Sequence, residues 1–177
     1  MAHSVLLIPV REAEFVVRPR LERVAPTYLP TDPDEVAAHI TLLGPFADLA
    51  QLDDGVLSEL LSFFADVTPF EFRLTKVCSF PGGLTYLAPD PASPFRQLTH
   101  ELSRQFPEFP PYGGEFDQVV PHLSVGTAEH SDPPDQVASE LSFRLPITAH
   151  AQEAALYWYE QEGCRVVETF PFGTTAA

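Results

Sequence analysis

The sequence predicts an α+β fold in which antiparallel sheets carry helices on their outer sides. Three observations lead there. Strand-like and helix-like segments interleave along the chain, and one pair of strands is a hairpin joined by Pro81-Gly82-Gly83. Several strands alternate polar and apolar residues, as antiparallel strands with one solvated face do. Finally, one strand pattern occurs twice, once in each half, which suggests two sheets related by an approximate two-fold axis. The 177 residues are enough to bury a substantial core and read as one domain spanning 1–177.

Residues 5–10 form a continuous apolar run, the pattern of a buried strand, and residues 11–24 mix charged and apolar positions as a surface helix does. Pro26, Pro30 and Pro33 then impose a loop. A strand is predicted over 38–43, stopped by Gly44-Pro45. Leu52, Val56, Leu57, Leu60, Leu61 and Phe64 recur at helical spacing and predict a helix over 52–64, with Asp53 and Asp54 suited to its amide-rich first turn. Residues 70–80 and 84–88 are the two arms of the hairpin.

Ser93-Pro94 is a helix start, cap followed by first-turn proline. Phe95, Leu98, Leu102 and Phe106 form the inward stripe of that helix, and Pro107, Pro110 and Pro111 end it. Tyr112-Gly113-Gly114 makes a tight loop into a second strand over 118–126. A short helix over 134–143 and strands over 147–159 and 165–172, turning at residues 160–163, complete the chain. The polar tail 174–177 is expected to be mobile.

Composition narrows the function. Hydrophobic residues at 45% and charged residues at 20% are ordinary for a globular protein. The net charge of −15, with Lys76 the only lysine, leaves too few cations to line an extended phosphate path, so a long nucleic acid is not an expected partner. One phosphate in a local pocket remains within reach of His, hydroxyl, Arg and backbone groups. The apolar run at 5–10 is too short to span a membrane and lacks signal-peptide flanks, so the expected compartment is the cytoplasm. Cys78 and Cys164 have neither disulfide-framework nor metal spacing.

The repeated pattern is His39-Ile40-Thr41-Leu42 and His122-Leu123-Ser124-Val125, each followed closely by a glycine. Side chains alternate along a strand, so His39 and Thr41 share one face while Ile40 and Leu42 share the other; His122 and Ser124 do the same. A single such match is weak. Two facing copies would surround a phosphate with two imidazoles and two hydroxyls. Cleaving a cyclic phosphodiester asks for that set: a base for water, an acid for the departing oxygen, and donors for the phosphoryl oxygens. His3, His100, His130 and His150 lack comparable surroundings and read as surface or terminal groups.

His39-Ile40-Thr41 and His122-Leu123-Ser124 resemble the twin His-x-Thr/Ser signatures of the 2H phosphoesterase superfamily. Residues 39–46, 84–89 and 110–124 are similar to its 2′-5′ RNA ligase-like bacterial branch. The resemblance implies a bilobal fold with a central cleft and chemistry without a cofactor or metal. It implies hydrolysis of cyclic or 2′-5′ phosphodiesters in small nucleotides or RNA ends, with end joining as the reverse sense in some relatives. Carried over by position, His39 and His122 are the acid and base, in unassigned order, and Thr41 and Ser124 bind phosphate. Phe46 and Tyr86 are candidates to stack on a base, with the protein core as their competing role; Arg73 and Arg96 are candidates for a phosphate, with solvated ion pairing as theirs; and Trp158 is assigned to packing. The expected form is a monomer.

Two rival readings have different chemistry. A metal site could use His39 and His122 with a carboxylate such as Asp117, but lacks further ligands at a recognisable spacing. A binding module without turnover would keep the nucleotide pocket, although all four motif residues are present.

Overall fold

The structure, a computed structural model, describes residues 2–115 and 118–173. In chain order its main elements are β1 (His3–Pro9), α1 (Glu14–Val24), β2 (His39–Leu43), α2 (Asp54–Ala65), β3 (Phe70–Ser79) and β4 (Thr85–Asp90). There follow α3 (Ser93–Gln105), β5 (Leu123–Ser124), α4 (Pro134–Leu141), β6 (Ile147–Ala151), β7 (Glu153–Glu160) and β8 (Gly163–Pro171).

β1 is apolar from Val5 onward, and both of its faces are covered there: Leu6, Leu7 and Ile8 are fully buried. Leu6 and Ile8 point into the larger core with Ile40, Leu42 and Leu123, where Val16, Leu60, Phe64, Phe95 and Val137 bring in all four helices. Val5 and Leu7, one residue out of phase, join a smaller cluster with Ala155, Tyr157 and Cys164 on the opposite face. Helix α2 begins where Asp53 accepts the Val56 N–H at 2.9 Å. It packs on β8, as α3 does on β2 and α4 on β3.

Among the described residues the eight strands form one antiparallel sheet in the order β6-β3-β4-β5-β2-β1-β7-β8. Two separate sheets were expected. They are one because Ile40 of β2 pairs with Leu123 of β5, and β5 in turn pairs with β4. Outward from that join the order is β2-β1-β7-β8 on one side and β5-β4-β3-β6 on the other. Each side contains a strand, a helix and a His strand that returns antiparallel to the first: β1-α1-β2 and β4-α3-β5.

Other boundaries shift for local reasons. The second His strand is only two residues long rather than 118–126; Pro121 has no N–H to give a ladder. The predicted strand over 147–159 is two strands divided at Gln152. β6 pairs with β3 and β7 with β1, so the chain passes there from one side of the sheet to the other. Ser93 is the first residue of α3 rather than its cap; Ala92 holds the cap position without a side-chain bond. The tail 174–177 and Asp117 lie outside the described residues. Among those described, no helix is long and apolar enough to cross a membrane.

Candidate active site

Register decides which side chains meet. Ile40 lies opposite Leu123, and both are fully buried. In an antiparallel pair the flanking residues then face the other way, with His39 across from Ser124 and Thr41 across from His122. Each imidazole therefore has the other motif's hydroxyl as its cross-strand neighbour. Opposed positions hold their Cβ atoms about 5 Å apart and diagonal ones about 7–8 Å, so the two imidazoles are diagonal neighbours on that face.

Both rings are held in the same way. His39 Nδ1 donates to the Ala37 carbonyl at 2.7 Å, and His122 Nδ1 donates to the Val120 carbonyl at 2.7 Å. A carbonyl only accepts, so each Nδ1 carries a hydrogen and each Nε2 is left with its lone pair. The segment before His39 is fixed from α1: the Glu14 carboxylate accepts the N–H groups of Ala37 and Ala38 at 3.1 and 2.8 Å and the Arg18 Nε at 2.7 Å. His122 is fixed by aromatic packing, edge-on to Phe80 at 4.9 Å and to Tyr86 at 5.5 Å.

Desolvation by burial is the largest influence on both imidazoles and holds them below the ordinary histidine range. Repulsion from His122 lowers His39 further, while its bond to Ala37 and the Glu14 carboxylate pull the other way. The bond to Val120 opposes the shift at His122. Both rings are consequently neutral bases in the free protein near pH 7.

His39, Thr41 and Ser124 line a cleft of about 340 Å³ whose walls include Tyr28, Tyr112 and Tyr159. His122 stands beside this lining, on the Phe80 and Tyr86 side. Tyr112 has φ 52°, a left-handed conformation rare outside glycine, and donates its N–H to the Gly44 carbonyl at 2.8 Å. That bond ties the Tyr112-Gly113-Gly114 loop to the end of β2. A larger groove of about 640 Å³ between α2 and α3 is lined by Glu59, Asp66 and Glu101 and has no imidazole.

The remaining site candidates divide. Phe46 is 6% exposed and packs edge-on against Phe106 and Phe109, so it belongs to the core and offers no face for stacking. Tyr86 has one face covered by Phe80 at 4.4 Å. Arg73 and Arg96 are exposed and neither lines the cleft. Trp158 is buried. His3 was expected to be a terminal group; it stacks on Tyr159 at 5.6 Å and lines the cleft. Sequence reading also missed Glu14 and Phe80, whose roles arise only from packing. Among the described residues no group of three or more His, Cys, Asp or Glu could hold a metal ion.

Solved structures share this architecture. TT0787 of Thermus thermophilus superposes with a TM-score of 0.65 at 17% identity, covering 99% of this chain and 100% of that one. E. coli LigT complexed with ATP gives 0.56 at 15% identity, with 97% of each chain covered. Its complex with 3′-AMP gives 0.55 at 14% identity, covering 97% of this chain and 98% of that one. No curated protein matches this chain. The fold is the one that these solved structures have. A family model described as the 2′-5′ RNA ligase superfamily matches residues 11–163, and the chain belongs to that superfamily.

Proposed function

We propose that this chain is a metal-independent phosphodiesterase that hydrolyses 2′,3′-cyclic or 2′-5′ phosphodiester bonds in small nucleotides or RNA ends. The observation that carries the reading is the matched pair of Nδ1–H bonds to Ala37 and Val120, which present two Nε2 lone pairs on the face shared with Thr41 and Ser124. In this reaction one Nε2 takes a proton from water as its oxygen bonds to phosphorus. The other imidazole, already protonated, gives its proton to the departing ribose oxygen as the P–O bond breaks. The two hydroxyls donate to the non-bridging oxygens, where charge builds. A monoester leaves, and proton exchange with solvent restores the starting states.

Both imidazoles begin neutral, so one must charge before turnover. A bound phosphate anion favours that, because a negative charge within about 4–6 Å stabilises the imidazolium. With a ribose hydroxyl in place of water as the nucleophile, the same groups would open a cyclic phosphate and join it to that hydroxyl, the ring oxygen leaving as a protonated ribose hydroxyl, which is the end-joining alternative.

The test is turnover of 2′,3′-cyclic AMP and a 2′-5′-linked dinucleotide with EDTA present, read by 31P NMR. Conversion to a monoester is expected, and His39→Ala or His122→Ala should reduce kcat by about 10²–10⁴-fold while the ligand still binds. Wild-type protein that binds 3′-AMP but turns over neither substrate would make this a binding module.

A further inference from the structure

The two halves of the sheet present different faces to a bound phosphate. On the His39 side the motif face is covered: Val5, Leu7, Ala155 and Tyr157 are buried in the smaller cluster, and Tyr28 and Tyr159 wall the cleft. On the His122 side the same face is open. Tyr86 pairs with Ser124 and Leu87 with Leu123, which sets Ala88 across from His122, and Ala88 in turn pairs with Lys76. Further out on β3, Arg73 pairs with Asp90 and with Thr148. Lys76, Arg73, Asp90 and Thr148 are all exposed.

Lys76 therefore stands two strands from His122 on the face the motifs share, about 10 Å away between Cα positions at the usual strand spacing. Ala88 puts only a methyl group between them. The four-carbon stem of Lys76 can carry its ammonium over that low floor. Arg18, Arg20 and Arg23 of α1 are engaged with carboxylates, whereas the Lys76 side chain makes no ion pair among the described residues.

We infer that Lys76 is a specificity-determining residue: its ammonium binds a phosphate on the second nucleoside of a 2′-5′-linked ligand, the nucleoside that lies over Ala88 while the first occupies the tyrosine-walled cleft. The inference deepens the proposed function and rests on it for the place of the reacting phosphate at His39 and His122. Its own basis is the register that sets an unpaired cation in line with His122 across a small residue. In a chain carrying −15 the long-range field repels a further phosphate, so a single local cation decides how well that group is accepted. Arg73 is the farther cation on this face and lies opposite Asp90, a carboxylate that offsets its charge, so the assignment falls on Lys76.

The test compares 2′-5′-linked ApA with the same dinucleotide carrying a 3′-phosphate on its second nucleoside. The value of kcat/KM is measured for both with wild type, Lys76→Gln and Lys76→Arg, at about 20 mM and about 500 mM NaCl. In Lys76→Gln the ratio of phosphorylated to unphosphorylated substrate should fall about threefold or more at low salt and by less at high salt, since an exposed ammonium is screened. Lys76→Arg should keep the wild-type ratio. All three proteins should turn over the unphosphorylated dinucleotide alike, which a general loss of structure would not allow.

If neither dinucleotide is hydrolysed, the same pair serves as ligands in calorimetry. The same fall in the affinity ratio then supports the role of Lys76 while the hydrolase reading fails. A ratio that Lys76→Gln leaves unchanged, in turnover or in binding, overturns the inference, and turnover of both dinucleotides in that case leaves the hydrolase reading standing.

Discussion

Lowering the pH should destabilise this protein through its two motif histidines, by an amount that can be bounded. Each imidazole is held below its ordinary range in the folded state, mainly by burial. In the unfolded chain it titrates near ~6.5. As pH falls through that value the unfolded state takes up protons that the folded state refuses. Stability from this source is therefore present above ~6.5, is lost as pH falls toward the folded-state values, and levels off below them. If both rings stay neutral in the fold, integration gives about 1.4 kcal/mol each between about pH 7.5 and 5.5, an upper bound of about 2.7 kcal/mol for the pair. With a urea m-value of about 1–3 kcal/mol/M, the midpoint should fall by up to about 0.9–2.7 M.

The assay is urea unfolding at a series of pH values for wild type and for His39→Gln/His122→Gln. The variant retains the other histidines and every carboxylate, so the difference between the two pH slopes isolates the pair. Saturating 3′-AMP should flatten the wild-type slope, since the anion lets the folded state accept a proton. Identical slopes for the two proteins, or wild type growing more stable on acidification across this window, would refute the assignment of both rings as half-buried neutral bases.

Removing either hydroxyl, by Thr41→Ala or Ser124→Ala, should weaken 3′-AMP binding by about 1.5–3 kcal/mol per lost charge-assisted bond, measured by calorimetry. The rate of cyclic nucleotide hydrolysis should be bell-shaped in pH with one limb for each imidazole, and each single His variant should lose a limb from any residual activity. Phe46→Ala should cost about 3–5 kcal/mol of stability in urea with little change in m, because it empties a site enclosed by Phe106 and Phe109. At Gly126 a Cβ would come within 2.6 Å of the His130 carbonyl. Gly126→Ala should therefore displace the turn after β5 and lower kcat/KM more than it lowers the urea midpoint.

The elements that were legible in the sequence are those with a strong local period. The stripe of Leu60 and Phe64 in α2 and that of Phe95, Leu98 and Leu102 in α3 faced the core as their spacing required. The faces of the His strands followed from alternation, since Ile40 and Leu123 are buried as the pattern demands. The pairing of those two strands was not legible. Nothing in residues 147–159 marks the crossing at Gln152, because both parts are strand-like and differ only in their partners. Phe46 shows the same limit: an aromatic beside the motif could face cleft or core, and only the positions of Phe106 and Phe109 decide. His3 gave no signal because its neighbour, Tyr159, is nearly the whole chain away.

The join between the halves of the sheet rests on one register contact, Ile40 with Leu123. A slip of one residue there would bury the imidazoles and turn aliphatic side chains toward the ligand. For the proposed reaction, catalytic competence would therefore be a gauge of correct zipping between distant portions of the polypeptide. Neither portion alone holds a usable fraction of the machinery, since every imidazole looks to its counterpart's strand for a hydroxyl.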